Sequence, residues 1–313
     1  MDNSIARPHR KAPLKARMLK YKGFYVMFVP VLVFLFVFNY LPMLGIRFAF
    51  TKYNLIKDPV FVGLQNFERL FSLPNFWIAF GNTLKLSIVK LLLNTSMAVA
   101  ISLLLNEMIS LPFKKITQTI IYVPHFLSWV VTASVFQLIF SPTTAGLVNQ
   151  VLLNLGVIDK SIYFLGESAW WTPSYYVINV WKDTGWSTVI FMATLSGIDP
   201  GIYEAASIDG AGRFQKMLYL TLPALSNTIL TVLILNLAKV MNLFESVFVL
   251  QNDAVMQQSQ VLQTYVYYQT FNSGGIPDYG YTTAIGLFRS VVGMILVLVC
   301  NYASKRVRGR GIV

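Results

Sequence analysis

Charge is scarce in this sequence. Only 12% of its 313 residues are charged, while 55% are hydrophobic; a soluble domain carries about a quarter charged residues. That leaves too little polar sequence to cover a core, which excludes an ordinary soluble globular protein. Cysteine is nearly absent as well. Cys300 stands alone, so there is no disulfide framework, and it reads as a lipid- or core-facing thiol. Only two histidines occur, His9 in a basic tail and His125 just after Pro124 in an apolar run. They cannot form a metal site unaided, and His125 reads as a structural or hydrogen-bonding group in a kinked helix. No Gly-Lys dipeptide occurs, which excludes a Walker A nucleotide loop. A metal-ligand cluster and a nucleophile–base pair are also missing, which argues against an intramembrane enzyme.

What is present is long apolar sequence, in runs of about 20 residues, the length that crosses a bilayer. Six such runs are expected as helices: Phe24–Ile46, Phe80–Leu105, Ile116–Phe140, Tyr175–Leu195, Asn227–Leu250 and Thr283–Tyr302. The fold expected is an all-α integral membrane protein with six transmembrane helices. The first run follows a basic stretch, as a signal peptide would. It is too long and lacks a small-residue cleavage site, so it reads as an uncleaved helix.

Lysine and arginine set the orientation. With the N-terminus inside, the cytoplasmic segments hold 15 of them: Arg7, Arg10, Lys11, Lys15, Arg17, Lys20, Lys22, Lys114, Lys115, Arg213, Lys216, Lys305, Arg306, Arg308 and Arg310. The outer segments hold 5, namely Arg47, Lys52, Lys57, Arg69 and Lys160. The positive-inside rule then puts both termini in the cytoplasm. Residues 1–22 form a basic N-terminal tail, 23–303 the membrane domain and 304–313 a basic C-terminal tail. Attraction to anionic lipid accounts for the tails, so the net charge of +12 calls for no nucleic acid.

The longest cytoplasmic connection, within 197–226, carries the most information. Asp199-Pro200 is a helix-start signal. A short helix over Tyr203–Ile208 would be broken by Gly210 and Gly212. Phe214, Met217 and Leu218 suggest a second helix stopped near Pro223. Ala205 and Ala206 leave a flat face that another backbone could approach closely. An amphipathic helix lying on the membrane would share some of these features. The succession Tyr203-Glu204-Ala205-Ala206, Asp209-Gly210-Ala211 and Leu222-Pro223 resembles the EAA motif of ABC importer permeases, departing only at Leu220, where isoleucine is commonest. Asn106-Glu107, Tyr122 to Trp129, Asn242 to Glu245 and Thr264 to Tyr267 also look like the carbohydrate-type, maltose-permease-like branch. Within it the chain is most similar to permeases for complex oligosaccharides, lipo-oligosaccharides and pectin fragments.

That resemblance implies the type I ABC importer permease fold and an import function without an ATPase site of its own. It implies a second homologous permease, a cytoplasmic ATPase dimer that binds ATP and Mg, and an extracytoplasmic sugar-binding protein that delivers an oligosaccharide. The ATPase-coupling residues would be Tyr203, Glu204, Ala205, Ala206, Asp209, Gly210, Ala211, Leu222 and Pro223. An ion-coupled secondary transporter would leave this segment unexplained and would need an inverted repeat with mid-membrane coupling acids.

The spans add a candidate solute path. Thr83, Ser87, Lys90 and Asn94 share one face of the second span, and Asn179, Asp183 and Trp186 one face of the fourth. Asn236, Lys239, Asn242, Glu245 and Ser246 fall on one half of the fifth. Lys85 and Arg289 are expected to snorkel to the outer interface. Trp181, Trp186 and Phe244 could stack on sugar rings. The third outer segment, with Gln257, Gln258 and Gln260, is a candidate contact for a binding protein.

Overall fold

The structure, a computed structural model, describes residues 20–54, 56–143, 146–272 and 274–308. Arg7, Arg10, Lys11, Lys15, Arg17, Arg310 and His9 lie outside the described residues. The first helix of the described residues is α1 (Lys22–Leu35), which loosens into a π turn over Phe36–Tyr40 and tightens into 3-10 turns over Leu41–Phe50. Together these make an apolar rod of 29 residues, Lys22–Phe50, that buries no side chain before Ala49. A two-stranded ribbon follows, β1 (Thr51–Lys52) antiparallel to β2 (Val60–Phe61), a small exception to the all-α expectation. It leads into α2 (Gln65–Ser72). The buried Asn66 amide donates to the carbonyls of Ala49 and Thr51, both at 2.9 Å, and so pins the end of the rod.

The spine is α3 (Pro74–Asn106), 33 residues long. Small side chains line its buried face at helical spacing: Ala79, Thr83 and Ser87 toward one end, Thr95, Ala98 and Ser102 toward the other. Small residues let helix backbones approach where lipid supplies no hydrophobic drive between helices. Thr83 accepts from the Leu262 N–H at 2.9 Å, and Ser87 donates to the Val240 carbonyl. Half of the expected polar stripe on this helix therefore serves packing. α3 reaches all three hydrophobic clusters, through Phe76, through Leu86 and through Ala98 with Leu105.

Next come α4 (Leu111–Tyr122), continued by a 3-10 turn over Val123–Phe126, and α5 (Trp129–Ile139). The two bend by 105°, so the third expected span, Ile116–Phe140, is a broken helix and not a straight one. The reason is local: Pro124 sits in the closing turn, and Ser128 caps a new helix by accepting from the Val131 N–H at 3.2 Å. After α6 (Leu147–Asn154), α7 (Ser168–Leu195) runs for 28 residues, about 42 Å, against α3. Among the described residues, four continuous helices are apolar and long enough to span a membrane: Lys22–Phe50, Pro74–Asn106, Arg213–Leu237 and Tyr279–Arg306. The bent pair, counted as one span, supplies a fifth, and α7 does not meet the same apolarity criterion.

The remaining elements are α8 (Pro200–Ile208), α9 (Arg213–Lys216), α10 (Leu222–Leu237), α11 (Glu245–Phe248), α12 (Met256–Ser259), α13 (Leu262–Phe271) and α14 (Tyr279–Arg308). The fifth expected span, Asn227–Leu250, is corrected here: its helix ends at Leu237, and residues 238–244 form turns before α11. Lys239, Asn242 and Glu245 consequently do not share a helix face with Asn236. No proline or glycine marks this break. Tertiary packing makes it, because Val240 and Met241 are drawn into one cluster and Leu243 into another.

Candidate functional site

Two features stand out, an exposed helix–turn–helix and a polar cavity. Asp199 caps α8 by accepting from the Gly201 N–H at 2.9 Å, with Pro200 in the first turn as expected. At the other end Gly210 adopts φ +82°, a left-handed conformation open to glycine without strain. The Ala211 N–H reaches the Ala206 carbonyl at 2.9 Å and the Gly210 N–H the Ser207 carbonyl at 3.2 Å. This is the Schellman pattern of helix termination.

The second helix does not stop near Pro223. α9, a π turn over Met217–Thr221 and α10 form one rod of 25 residues, Arg213–Leu237. The Leu222 N–H bonds to the Met217 carbonyl across the wide turn, and Pro223 follows in the first turn of α10, where its missing N–H is tolerated. Tyr203 and Thr221 hydroxyls meet at 3.0 Å, and Lys216 Nζ donates to Ser207 Oγ at 2.6 Å, so the two helices are tied. Arg213 donates to the Glu107 carbonyl at 3.1 Å and pairs with its carboxylate at 3.4 Å, which links the loop to the end of α3. Glu204, Ala205, Asp209, Gly210 and Pro223 are exposed; Tyr203, Ala206, Ala211 and Leu222 are half-buried. Ile208 is 87% exposed, and Ile202, Phe214 and Tyr219 are exposed beside it. Apolar side chains raised this far on a compact polar loop suit a protein contact.

The rod is about 37 Å long, and its far end supplies Asn236 to a cavity of about 520 Å³. Of the expected path residues, Lys90, Asn94, Asp183, Trp186, Asn236, Lys239 and Asn242 all line it. Asn179 does not: it is fully buried and donates to the Tyr175 carbonyl at 2.7 Å. Glu245 also lies outside the lining, exposed at the start of α11. Asp183 is the electrostatic centre. Lys90 Nζ lies 3.7 Å from one of its oxygens and His125 Nδ1 3.6 Å from the other. The His125 ring stacks on Trp186 with centroids 5.1 Å apart and planes 16° apart. Asn94 Oδ1 is buried with no hydrogen-bond partner, an acceptor left for a hydroxyl.

His125 joins the cavity although sequence assigned it only a structural role. The signal was there, a histidine beside a proline inside an apolar run, but nothing in it showed which neighbour the bend would face. The elbow is held by α7. Lys182, buried, donates to the His125 carbonyl at 3.1 Å and lies 5.2 Å from the Trp129 ring centroid. Gly185 packs so close that a Cβ there would run into the Ile121 carbonyl oxygen. Gly185→Ala should push the elbow off α7 and part His125 from Asp183 and Trp186, at about 1–3 kcal/mol. A lower melting temperature of the purified protein, with uptake reduced several-fold, checks this; an unchanged melt would refute the close-packing account.

Comparison with known proteins agrees in sequence and in fold. Residues 98–309 match the profile of the family described as binding-protein-dependent transport system inner membrane component. The chain is 35% identical over 316 residues to the polygalacturonan/rhamnogalacturonan transport system permease protein YteP of Bacillus subtilis (strain 168), covering 100% of this chain and 97% of the relative. A crystal structure of a bacterial ABC transporter involved in the import of the acidic polysaccharide alginate superposes with a TM-score of 0.85 at 33% identity, covering 94% of this chain and 99% of the other. A second structure, the bacterial alginate transporter in complex with an alginate pentasaccharide-bound periplasmic protein, also gives 0.85 at 32% identity, over 96% and 99% of the two chains.

Proposed function

This chain belongs to the family of binding-protein-dependent transport system inner membrane components, and from that premise we propose that it is the permease through which an acidic oligosaccharide enters the cell, driven by a separate ATPase docked on residues 197–226. Membership makes it a membrane subunit of an ABC importer for sugars. The finer reading rests on one observation: a single 25-residue rod joins the exposed helix–turn–helix to the polar cavity.

Displacement of the docked loop is transmitted along a hydrogen-bonded helix with little give, so the Asn236 end moves with the Arg213 end. Helix packing of this kind switches between discrete arrangements. Glu204, Asp209 and the exposed Ile208 and Phe214 supply the contact with the ATPase; Tyr203, Ala205, Ala206, Ala211, Leu222 and Pro223 shape it. Both termini and this loop then lie in the cytoplasm. The ATPase dimer carries ATP and Mg, and a second, homologous permease faces this chain. A sugar-binding protein docks from outside.

The cavity favours an acidic solute. Lys90 and Lys239 face it with Asp183 as its one carboxylate among the lining residues. Trp186, half exposed, offers a ring for the C–H face of a sugar, and Asn94, Asn236 and Asn242 meet its hydroxyls. The test is uptake into vesicles holding the permease pair and ATPase, with the binding protein outside. Oligogalacturonate should accumulate only with ATP inside. Uptake driven by an ion gradient without the ATPase would sink the importer reading, and preference for a neutral oligosaccharide would sink the acidic one.

A further inference from the structure

Arg289 is a cation, within a span, that neither the Lys90–Asp183 cavity nor the loop uses. At 1.5 Å per residue it lies about 15 Å from the start of α14 at Tyr279, about a third of the way along the 28-residue span. It lines two cavities. One, of about 390 Å³, it shares with Asn242, Ser290 and Gly293; the other, of about 280 Å³, with Phe244, Gln263 and Tyr267. No carboxylate lies within 4 Å of the guanidinium among the described residues. A charge at this depth marks a functional position that calls for a partner. Gln263 supplies a second, independent sign: its Oε1 is buried without a hydrogen-bond partner. Phe244 and Tyr267 stand 5.7 Å apart, ring to ring, on the same wall. Asn242, in the unwound 238–244 segment, also lines the Lys90–Asp183 cavity, so the 390 Å³ cavity lies between that one and the 280 Å³ cavity, sharing Asn242 with the first and Arg289 with the second. Irregular backbone at membrane depth is tolerated where it lines a cavity.

We propose that Arg289, Gln263, Tyr267 and Phe244 form a second sugar subsite, specific for a carboxylate-bearing residue of the oligosaccharide. The inference rests on the acidic-substrate reading above. The guanidinium fork takes the carboxylate through two parallel N–H···O bonds. The Gln263 oxygen accepts from a ring hydroxyl, and the aromatic pair packs on the C–H face. The subsite is separate from the Trp186 cavity, and the two together would hold successive residues of one chain.

The test titrates the assembled complex in nanodiscs, by calorimetry and without the binding protein, using trigalacturonate and its methyl ester. Arg289→Gln should weaken trigalacturonate binding by about tenfold or more and leave the ester nearly unchanged, with Arg289→Lys in between. Equal loss for both probes would identify Arg289 as a structural counter-ion, for example to a carboxylate of the second permease, and would overturn the subsite. So would no loss for either. If Arg289→Gln does not assemble, Gln263→Glu serves, since it places a carboxylate against the guanidinium and should depress trigalacturonate binding selectively; an unchanged acid-to-ester ratio overturns the proposal. A wild-type complex that prefers the ester overturns the acidic-substrate reading and the subsite with it. A wild type that prefers trigalacturonate, with an Arg289→Gln variant that does so equally, overturns the subsite alone.

Discussion

Gly210→Leu is expected to abolish ATP-driven uptake while the protein still inserts and still occupies the membrane at wild-type levels. Gly210 holds φ +82°, and a Cβ added there meets nothing within 4 Å. The cost is in the backbone, about 1–3 kcal/mol for a side-chain-bearing residue in this region. The turn can relieve that strain only by giving up the bonds from Ala211 to Ala206 and from Gly210 to Ser207, which close α8. α8 would then lose its fixed angle to the rod beginning at Arg213, and force applied at Glu204 would no longer reach Asn236. Insertion is set by the apolar spans and is indifferent to this loop. The measurement is twofold, membrane abundance by immunoblot and oligosaccharide uptake with ATP. Normal uptake by a normally inserted variant would count against the lever.

Asp183→Ala is expected to do comparable damage by another route. Asp183 is the carboxylate between Lys90 and His125. Its removal leaves an ammonium in the middle of a span, where an uncompensated charge is costly. The Lys90–Asp183 pair is about a quarter exposed on each side, so the destabilisation is set at about 1–3 kcal/mol, below the range for a fully buried pair. Uptake should fall by about tenfold or more, since the cavity loses the one carboxylate among its lining residues and Lys90 and His125 lose their shared partner. The double variant Lys90→Met/Asp183→Ala separates the two roles. It removes both charges, so thermal stability should recover toward wild type while uptake stays low. Recovery of both would make the pair purely structural. Recovery of neither would mean that Asp183 acts mainly through His125 and the elbow.

Much of this molecule was legible from its residues, and the legible parts share a cause. Apolar runs of bilayer length announce themselves whatever surrounds them, because lipid acts on each helix separately. The 199–211 helix and its end were equally plain, since Asp199, Pro200 and Gly210 act on the backbone within a few residues. The elbow was half legible: Pro124 implied a kink, but the 105° bend also depends on Lys182 and Gly185 reaching across from α7. Pro223 misled, because a proline normally ends a helix and the π turn before it could not be foreseen.

The cavity was legible as a set of polar residues and illegible as a place. Helical spacing put Lys90 with Asn94 and Asp183 with Trp186, and both pairs are indeed on its wall. It also put Thr83, Asn179 and Glu245 on wet faces, whereas Thr83 binds the Leu262 N–H, Asn179 the Tyr175 carbonyl, and Glu245 lies beyond a break in the helix. Spacing identifies residues on one side of a helix but does not say whether that side meets water, a solute or another helix.

The sequence alone therefore determined a multi-span membrane subunit with an exposed helix–turn–helix loop, because hydropathy, capping and left-handed glycine are local properties. Tertiary structure decided where the fifth span unwinds, that His125 joins Asp183 and Trp186, and that Arg289 borders two cavities. Each of these depends on which helices pack together, through contacts between residues far apart in the chain, and no local pattern encodes that.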